Sequence, residues 1–223
     1  SPVTELIVNM GDKKNHALRA KSGKRIFALS ETETSGDILP NRYKQLADLI
    51  RFYKPKTILE TGTWNGGRAI EMALASFKNQ DSIHYIGFDL FEDATIHTDH
   101  AEFNVKPHNT MEAVEKRFTE FAEHMKEKED KTFTYELIKG NVRETLDKFV
   151  KTEALDEVDF ALMGSGNSIE TTQVEYEAFK NIPVVVIDHY FTKESEEDDS
   201  MPPEKYHGAK NVFDSVKTKM VDT

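Results

Sequence analysis

The sequence predicts an open, doubly wound α/β sheet, mostly parallel, with helices on both faces. Short apolar runs that end in a polar or glycine residue alternate five times with segments of helical periodicity. The run Thr57 to Glu60 leads through Gly62, Gly66 and Gly67 straight into a helix-like stretch, as happens where a strand, a tight turn and a helix N-terminus meet. Val184 to Ile187 is continuously β-branched, which suits a strand buried on both faces.

Each element follows from local pattern. Residues 1–37 carry scattered charge and turn formers without a long apolar period, and are expected to form an irregular N-terminal extension to the α/β domain of residues 38–223. Tyr43, Leu46, Leu49 and Ile50 recur at helical spacing, and Pro55 closes that helix before the first strand. After the glycine turn a helix spans Arg68 to Phe77, and Tyr85 to Asp89 forms the second strand. Phe91 to His108 is polar loop. Asn109 to Glu112 has the spacing of a capping box, and Met111, Val114, Phe118, Phe121 and Met125 mark the buried face of a long helix. Thr132 to Ile138 is a strand, Arg143 to Val150 a helix and Val158 to Met163 a strand. Ser168 caps the helix Ile169 to Lys180, and Pro183 opens the fifth strand. The acidic run Glu194 to Ser200 and Met201-Pro202-Pro203 predict an exposed loop, with a last helix over Asn211 to Lys219.

Sheets of this kind bind ligands outside the carboxyl ends of their strands, where Glu60, Asp89, Asn141, Gly164 and Asp188 all fall. The turn reads Glu-x-Gly-x-x-x-Gly, lacking both the tighter Gly-x-Gly-x-x-Gly of dinucleotide enzymes and the Gly-Lys-Ser/Thr of a P-loop. Asp89, ending the next strand, can accept both hydroxyls of a ribose. Together Glu60-Thr61-Gly62 and Gly87-Phe88-Asp89 resemble motif I and the acidic motif of class I S-adenosylmethionine (SAM) dependent methyltransferases, which have a Rossmann-like fold. With Lys139-Gly140-Asn141 and Ile187-Asp188-His189-Tyr190, the order is similar to the small-molecule O-methyltransferase branch that includes macrocin O-methyltransferase, over roughly Gly36 to Tyr190. The resemblance implies that Glu60, Gly62, Thr63, Asn65 and Gly66 cradle the methionine end of SAM and that Asp89 holds the ribose. It also implies that Asn141 faces the adenine, and it counts Leu90 and Gly164 among the cofactor contacts.

Two departures stand out. Where the family commonly has an Asp-Gly-x-His-like element that helps hold a divalent cation, this chain has Gly164-Ser165-Gly166-Asn167, and the acid pair after strand five reads Asp188-His189. Hard cations prefer several oxygen ligands, so the magnesium site is weakened and metal dependence is in doubt. The family's closing antiparallel strand pair has little sequence after Val216 to supply it, so that hairpin is missing or built unusually. A bare sheet edge would leave backbone for a partner chain to cover, and a homodimer is the corresponding expectation.

At 223 residues the chain is long enough for one well-buried domain with a small appendage. It lacks a run of the roughly 20 apolar residues that a membrane span needs and a basic-then-apolar leader, so no membrane association and a cytoplasmic location are expected. The formal net charge of −11 argues against nonspecific nucleic-acid binding, and zero cysteines exclude disulfides and thiolate chemistry.

Methyl transfer to a hydroxyl needs an in-line nucleophile and a place for its proton. His189, beside Asp188, is the candidate general base, with surface packing as the bland alternative. His97, Asp99 and His100 are either metal ligands in the substrate loop or solvated loop residues, and Trp64 either walls the pocket or covers the next helix. The expected function is methyl transfer from SAM to oxygen or nitrogen of a small polar metabolite. Its competitors are a SAM-binding protein without catalysis and, disfavoured by the glycine spacing, an NAD-dependent oxidoreductase.

Overall fold

A computed structural model describes residues 3–10, 13–20, 25–30, 41–104, 106–165, 168–190 and 207–221; for 3–10, 13–20, 25, 28, 30, 41–42, 189–190, 207 and 216–221 it describes the backbone alone. The strands are β1 (Val3–Met10), β2 (Lys13–Ala20), β3 (Arg25–Ser30), β4 (Thr57–Thr61), β5 (Ser82–Asp89), β6 (Thr132–Lys139), β7 (Phe160–Met163) and β8 (Val184–Tyr190). The helices are α1 (Asn41–Tyr53), α2 (Gly67–Ser76), α3 (Ile96–Ala101), α4 (Met111–Glu129), α5 (Val142–Val150), α6 (Ile169–Phe179) and α7 (His207–Val221).

One sheet runs in the order β1-β2-β3-β8-β7-β4-β5-β6. From β3 to β6 all six strands are parallel, while β1 and β2 add an antiparallel hairpin at one edge. Successive strand residues face opposite sides, so each central strand feeds two cores. Ile58, Phe160, Val184 and Val186 join Leu46, Ile50, Met72 and Phe118 from α1, α2 and α4. Leu59, Ala161, Val185 and Ile187 join Leu146, Phe179, Val212 and Phe213 from α5, α6 and α7. This is the doubly wound architecture expected, and the stripe on α4 is core: Val114, Phe118 and Met125 are buried.

Within residues 1–37, expected to be irregular, lie the three strands β1, β2 and β3, and β3 pairs in parallel with β8. β3 thus lies along the edge of β8. Leu6-Ile7-Val8 and Ile26 to Leu29 are short apolar runs that acquire meaning only through pairing with strands distant in sequence. The long helix is capped one residue later than expected: Thr110 Oγ1 accepts from Ala113 N at 3.1 Å, and Glu112 makes no reciprocal box. A true capping box, Thr95 with Thr98, starts α3 inside the segment read as loop. The expected loop at 194–203 lies outside the described residues. Among the described residues no helix is long and apolar enough to cross a membrane.

Candidate functional site

From β4 the chain steps outward to β5 and β6, then returns to β7 and β8 on the other side, so the topological switch point lies between β4 and β7. The turn after β4 is fixed there by backbone bonds: Gly62 N donates to Phe88 O at 2.7 Å and Gly66 N to Thr63 O at 3.0 Å. Gly62 has φ +86°, and a Cβ on it would stand 2.8 Å from Gly164 O, so only glycine lets the two loops meet. Gly66 serves a different need, because a Cβ there would press into the Phe118 ring of α4 at 2.5 Å. Asn65 Oδ1 accepts from Gly67 N at 2.8 Å, and Arg117 Nη1 donates to Asn65 O at 2.9 Å, which clamps the turn to α4.

Asp89 ends β5 against this turn. Its Oδ2 accepts from Trp64 N and its Oδ1 from Phe91 N, each at 2.8 Å. Both donors belong to residues held at positive φ, 53° for Trp64 and 51° for Phe91, so the carboxylate organises two backbone bends at once. Asn141 caps α5 by accepting from Arg143 N at 3.0 Å.

A cavity of about 520 Å³ opens at the switch point. Among the residues expected from sequence, Gly62, Thr63, Asn65, Asp89, Leu90, Asn141 and Gly164 line it. Gly66 is set back against α4. Glu60 and Asp188 are buried beneath the floor at 0% and 2% exposure. His189 ends β8 in backbone terms, and its side chain is outside the described structure.

The floor carries a charge cluster that sequence spacing did not reveal. Arg68, in the first turn of α2, donates through Nη1 to Asp188 Oδ2 at 2.7 Å and through Nη2 to Tyr43 Oη at 3.0 Å. Glu60 Oε1 accepts from Tyr85 Oη at 2.6 Å, and Tyr85 Oη lies 3.0 Å from Thr63 Oγ1 in the cavity wall. Burial pushes the Glu60 carboxyl up to about 7, against the opposing pull of Arg68 and the Tyr85 hydroxyl. Burial likewise drives Tyr85 well above the ordinary phenol value, reinforced by Glu60. Behind β7, the fully buried Glu175 accepts from Thr61 Oγ1 at 2.6 Å and Ser165 Oγ at 2.7 Å, fixing the loop that meets Gly62.

The segment from β5 to α4 crosses the cavity mouth. Glu102 reaches the N-terminus of α6, accepting from Ser168 N at 2.9 Å, Ser168 Oγ at 3.0 Å and Thr171 Oγ1 at 2.5 Å. Trp64 Nε1 donates to Pro107 O at 2.8 Å, and Lys106 Nζ sits 4.5 Å above the Trp64 ring. The tryptophan thus walls the cavity and anchors this segment. Asp99 is paired with His108, at 2.7 Å between Oδ1 and Nε2, and both line the cavity. Among the described residues no three histidine or acidic side chains come together to hold a metal, and the Asp99 carboxylate is engaged by His108 and Asn104.

No protein-family model matches the sequence, and no curated protein matches it either. Solved structures do. An O-methyltransferase from Bacillus cereus in complex with S-adenosylhomocysteine (SAH) matches at a TM-score of 0.51 and 16% identity, over 83% of this chain and 72% of its own. The O-methyltransferase TomG from Streptomyces achromogenes, involved in tomaymycin synthesis and solved with SAM, matches at 0.51 and 17% identity, over 82% of this chain and 70% of its own. With a six-stranded parallel sheet, helices on both faces and its cavity at the switch point, the chain has a Rossmann-like methyltransferase fold.

Proposed function

We propose that the protein transfers the methyl group of SAM to an oxygen or nitrogen of a small polar metabolite. The observation that carries this reading is the placement of Asp89 beside the Gly62 turn in the wall of the switch-point cavity. Each Asp89 oxygen accepts one backbone N–H, and a carboxylate has about four lone-pair positions, so both can still accept a ribose hydroxyl. The cavity volume, about 520 Å³, lies within the range of roughly 300–1,000 Å³ common for small-molecule sites. Similarity in fold to enzymes solved with SAM and SAH supports the same cofactor.

SAM supplies an electrophilic methyl group on a sulfonium. In this reading Asp89 holds its ribose, Leu90 and Asn141 flank the adenine, and Gly62, Thr63 and Asn65 receive the methionine end. The acceptor's proton needs a base near the methyl-transfer line. His108 is the described imidazole in the cavity wall, and Asp99 orients it at 2.7 Å. His189, next to Asp188, is the second candidate. The net charge of −11 favours a small acceptor over nucleic acid.

One observation favours a SAM-binding protein without catalysis: Asp188 is 2% exposed and its carboxylate is held by Arg68 below the cavity floor. The experiment that separates the readings is SAH production from SAM with a panel of phenols, sugars and amines, run beside SAM titration. Binding with turnover supports the enzyme; binding with no turnover on any class supports the second reading.

A further inference from the structure

Glu60 is fully buried, yet among the described residues only one of its oxygens has a hydrogen-bond donor. Tyr85 Oη donates to Oε1 at 2.6 Å, whereas Oε2 has no hydrogen-bond partner among the described residues. Arg68 Nη1 stands 3.8 Å from that oxygen, but its hydrogen bond goes to Asp188 at 2.7 Å. Thr63 links the site to the cavity wall through Tyr85, at 3.0 Å. A buried carboxylate left in this state is costly to ionise, and a cation arriving above it would lower that cost.

Resting on the SAM reading above, we infer that Glu60 is a charge sensor beneath the cavity floor that favours the sulfonium cofactor over its neutral thioether product. As the sulfonium cation binds, the Glu60 carboxyl gives its proton to the buffer; SAH, which lacks the sulfonium charge, leaves that proton largely in place. After methyl transfer the charge overhead disappears, the carboxyl takes a proton back, and the product is held less tightly. The groups facing Glu60 are Arg68 from α2, Tyr85 and Asp89 from β5 and Asp188 from β8. Arg68 and Tyr85 favour the anion, while Asp188 and Asp89 oppose it. Tyr43 from α1 acts through Arg68, and Glu175 from α6 is held off by Thr61. The resting carboxyl titrates at about 7, which puts the exchange in the neutral range.

The test is calorimetric titration of the full chain with SAM and with SAH from about pH 6 to about pH 8, in buffers of different ionisation enthalpy. The preference for SAM over SAH is expected to rise by up to about tenfold per pH unit below neutrality and then level off. SAM should release up to one proton more than SAH near the low end of that range. Glu60→Gln should abolish this excess and flatten the preference. Because the variant leaves the ligands' own ionisation unchanged, the difference between the two proteins isolates Glu60. Tyr85→Phe, which removes the donor to Oε1, should move the inflection to higher pH. Equal proton release for SAM and SAH in the wild type, or an excess that survives Glu60→Gln, overturns the inference while leaving the cofactor reading intact. Failure of the wild type to bind either ligand overturns both.

Discussion

Replacing Asp89 by alanine removes the acceptor for two backbone amides, Trp64 N and Phe91 N, each at 2.8 Å. Hydrogen bonds to a charged group are worth about 1.5–3 kcal/mol each, and the bond to Trp64 is open to solvent, so a loss of about 3 kcal/mol in unfolding free energy is expected. If the same carboxylate also accepts two ribose hydroxyls, SAM binding falls by a similar amount, which is roughly a hundredfold in Kd. Urea denaturation reads the first effect and calorimetry the second. An SAH analogue lacking the ribose 2′-hydroxyl separates ribose recognition from damage to the turn. The wild type should bind this analogue more weakly than SAH, whereas Asp89→Ala should not distinguish them. If the variant still discriminates the analogue as the wild type does, the ribose assignment is wrong, whatever happens to stability.

Gly62→Ala should cost at least about 2 kcal/mol, from left-handed strain plus a Cβ driven into the Gly164 backbone, and a denaturation midpoint unchanged from wild type would contradict it. Glu60 has its folded value raised from 4.5 to about 7, so the native state holds a proton that the unfolded chain gives up. Wild-type stability therefore falls as pH rises between those values, by about 3 kcal/mol, and urea titrations should show Glu60→Gln lacking that slope. His108→Gln should lower turnover by about a hundredfold or more while SAH affinity stays within about threefold; a full loss in His189→Gln with His108→Gln unaffected would move the base to β8. Chelation with EDTA should leave turnover unchanged, since Asp188 is engaged by Arg68, and strong stimulation by magnesium would refute that.

The turn Glu60 to Gly67, Asp89 at the end of β5 and the Ser168 cap were legible because their chemistry is local: a strand end, a glycine at positive φ, a hydroxyl before a helix. What was illegible depends on pairings across the chain. Arg68 meets Asp188 from 120 residues away, and β3 earns its place only beside β8. The sequence offered His97-x-Asp99-His100 as a cluster, yet Asp99 turns to His108, nine residues on, because α3 starts at the Thr95 box and the chain loops back to Trp64. A Trp within the glycine turn and a Pro-His pair ahead of α4 were the available hints, but nothing in their spacing joins them.

Whether the switch-point cavity is a SAM site is decided by parallel calorimetric titration with SAM, SAH and NAD. SAM and SAH should bind with micromolar affinity, and NAD should not bind. Silence for SAM and SAH would contradict this and leave the glycine turn a structural feature alone.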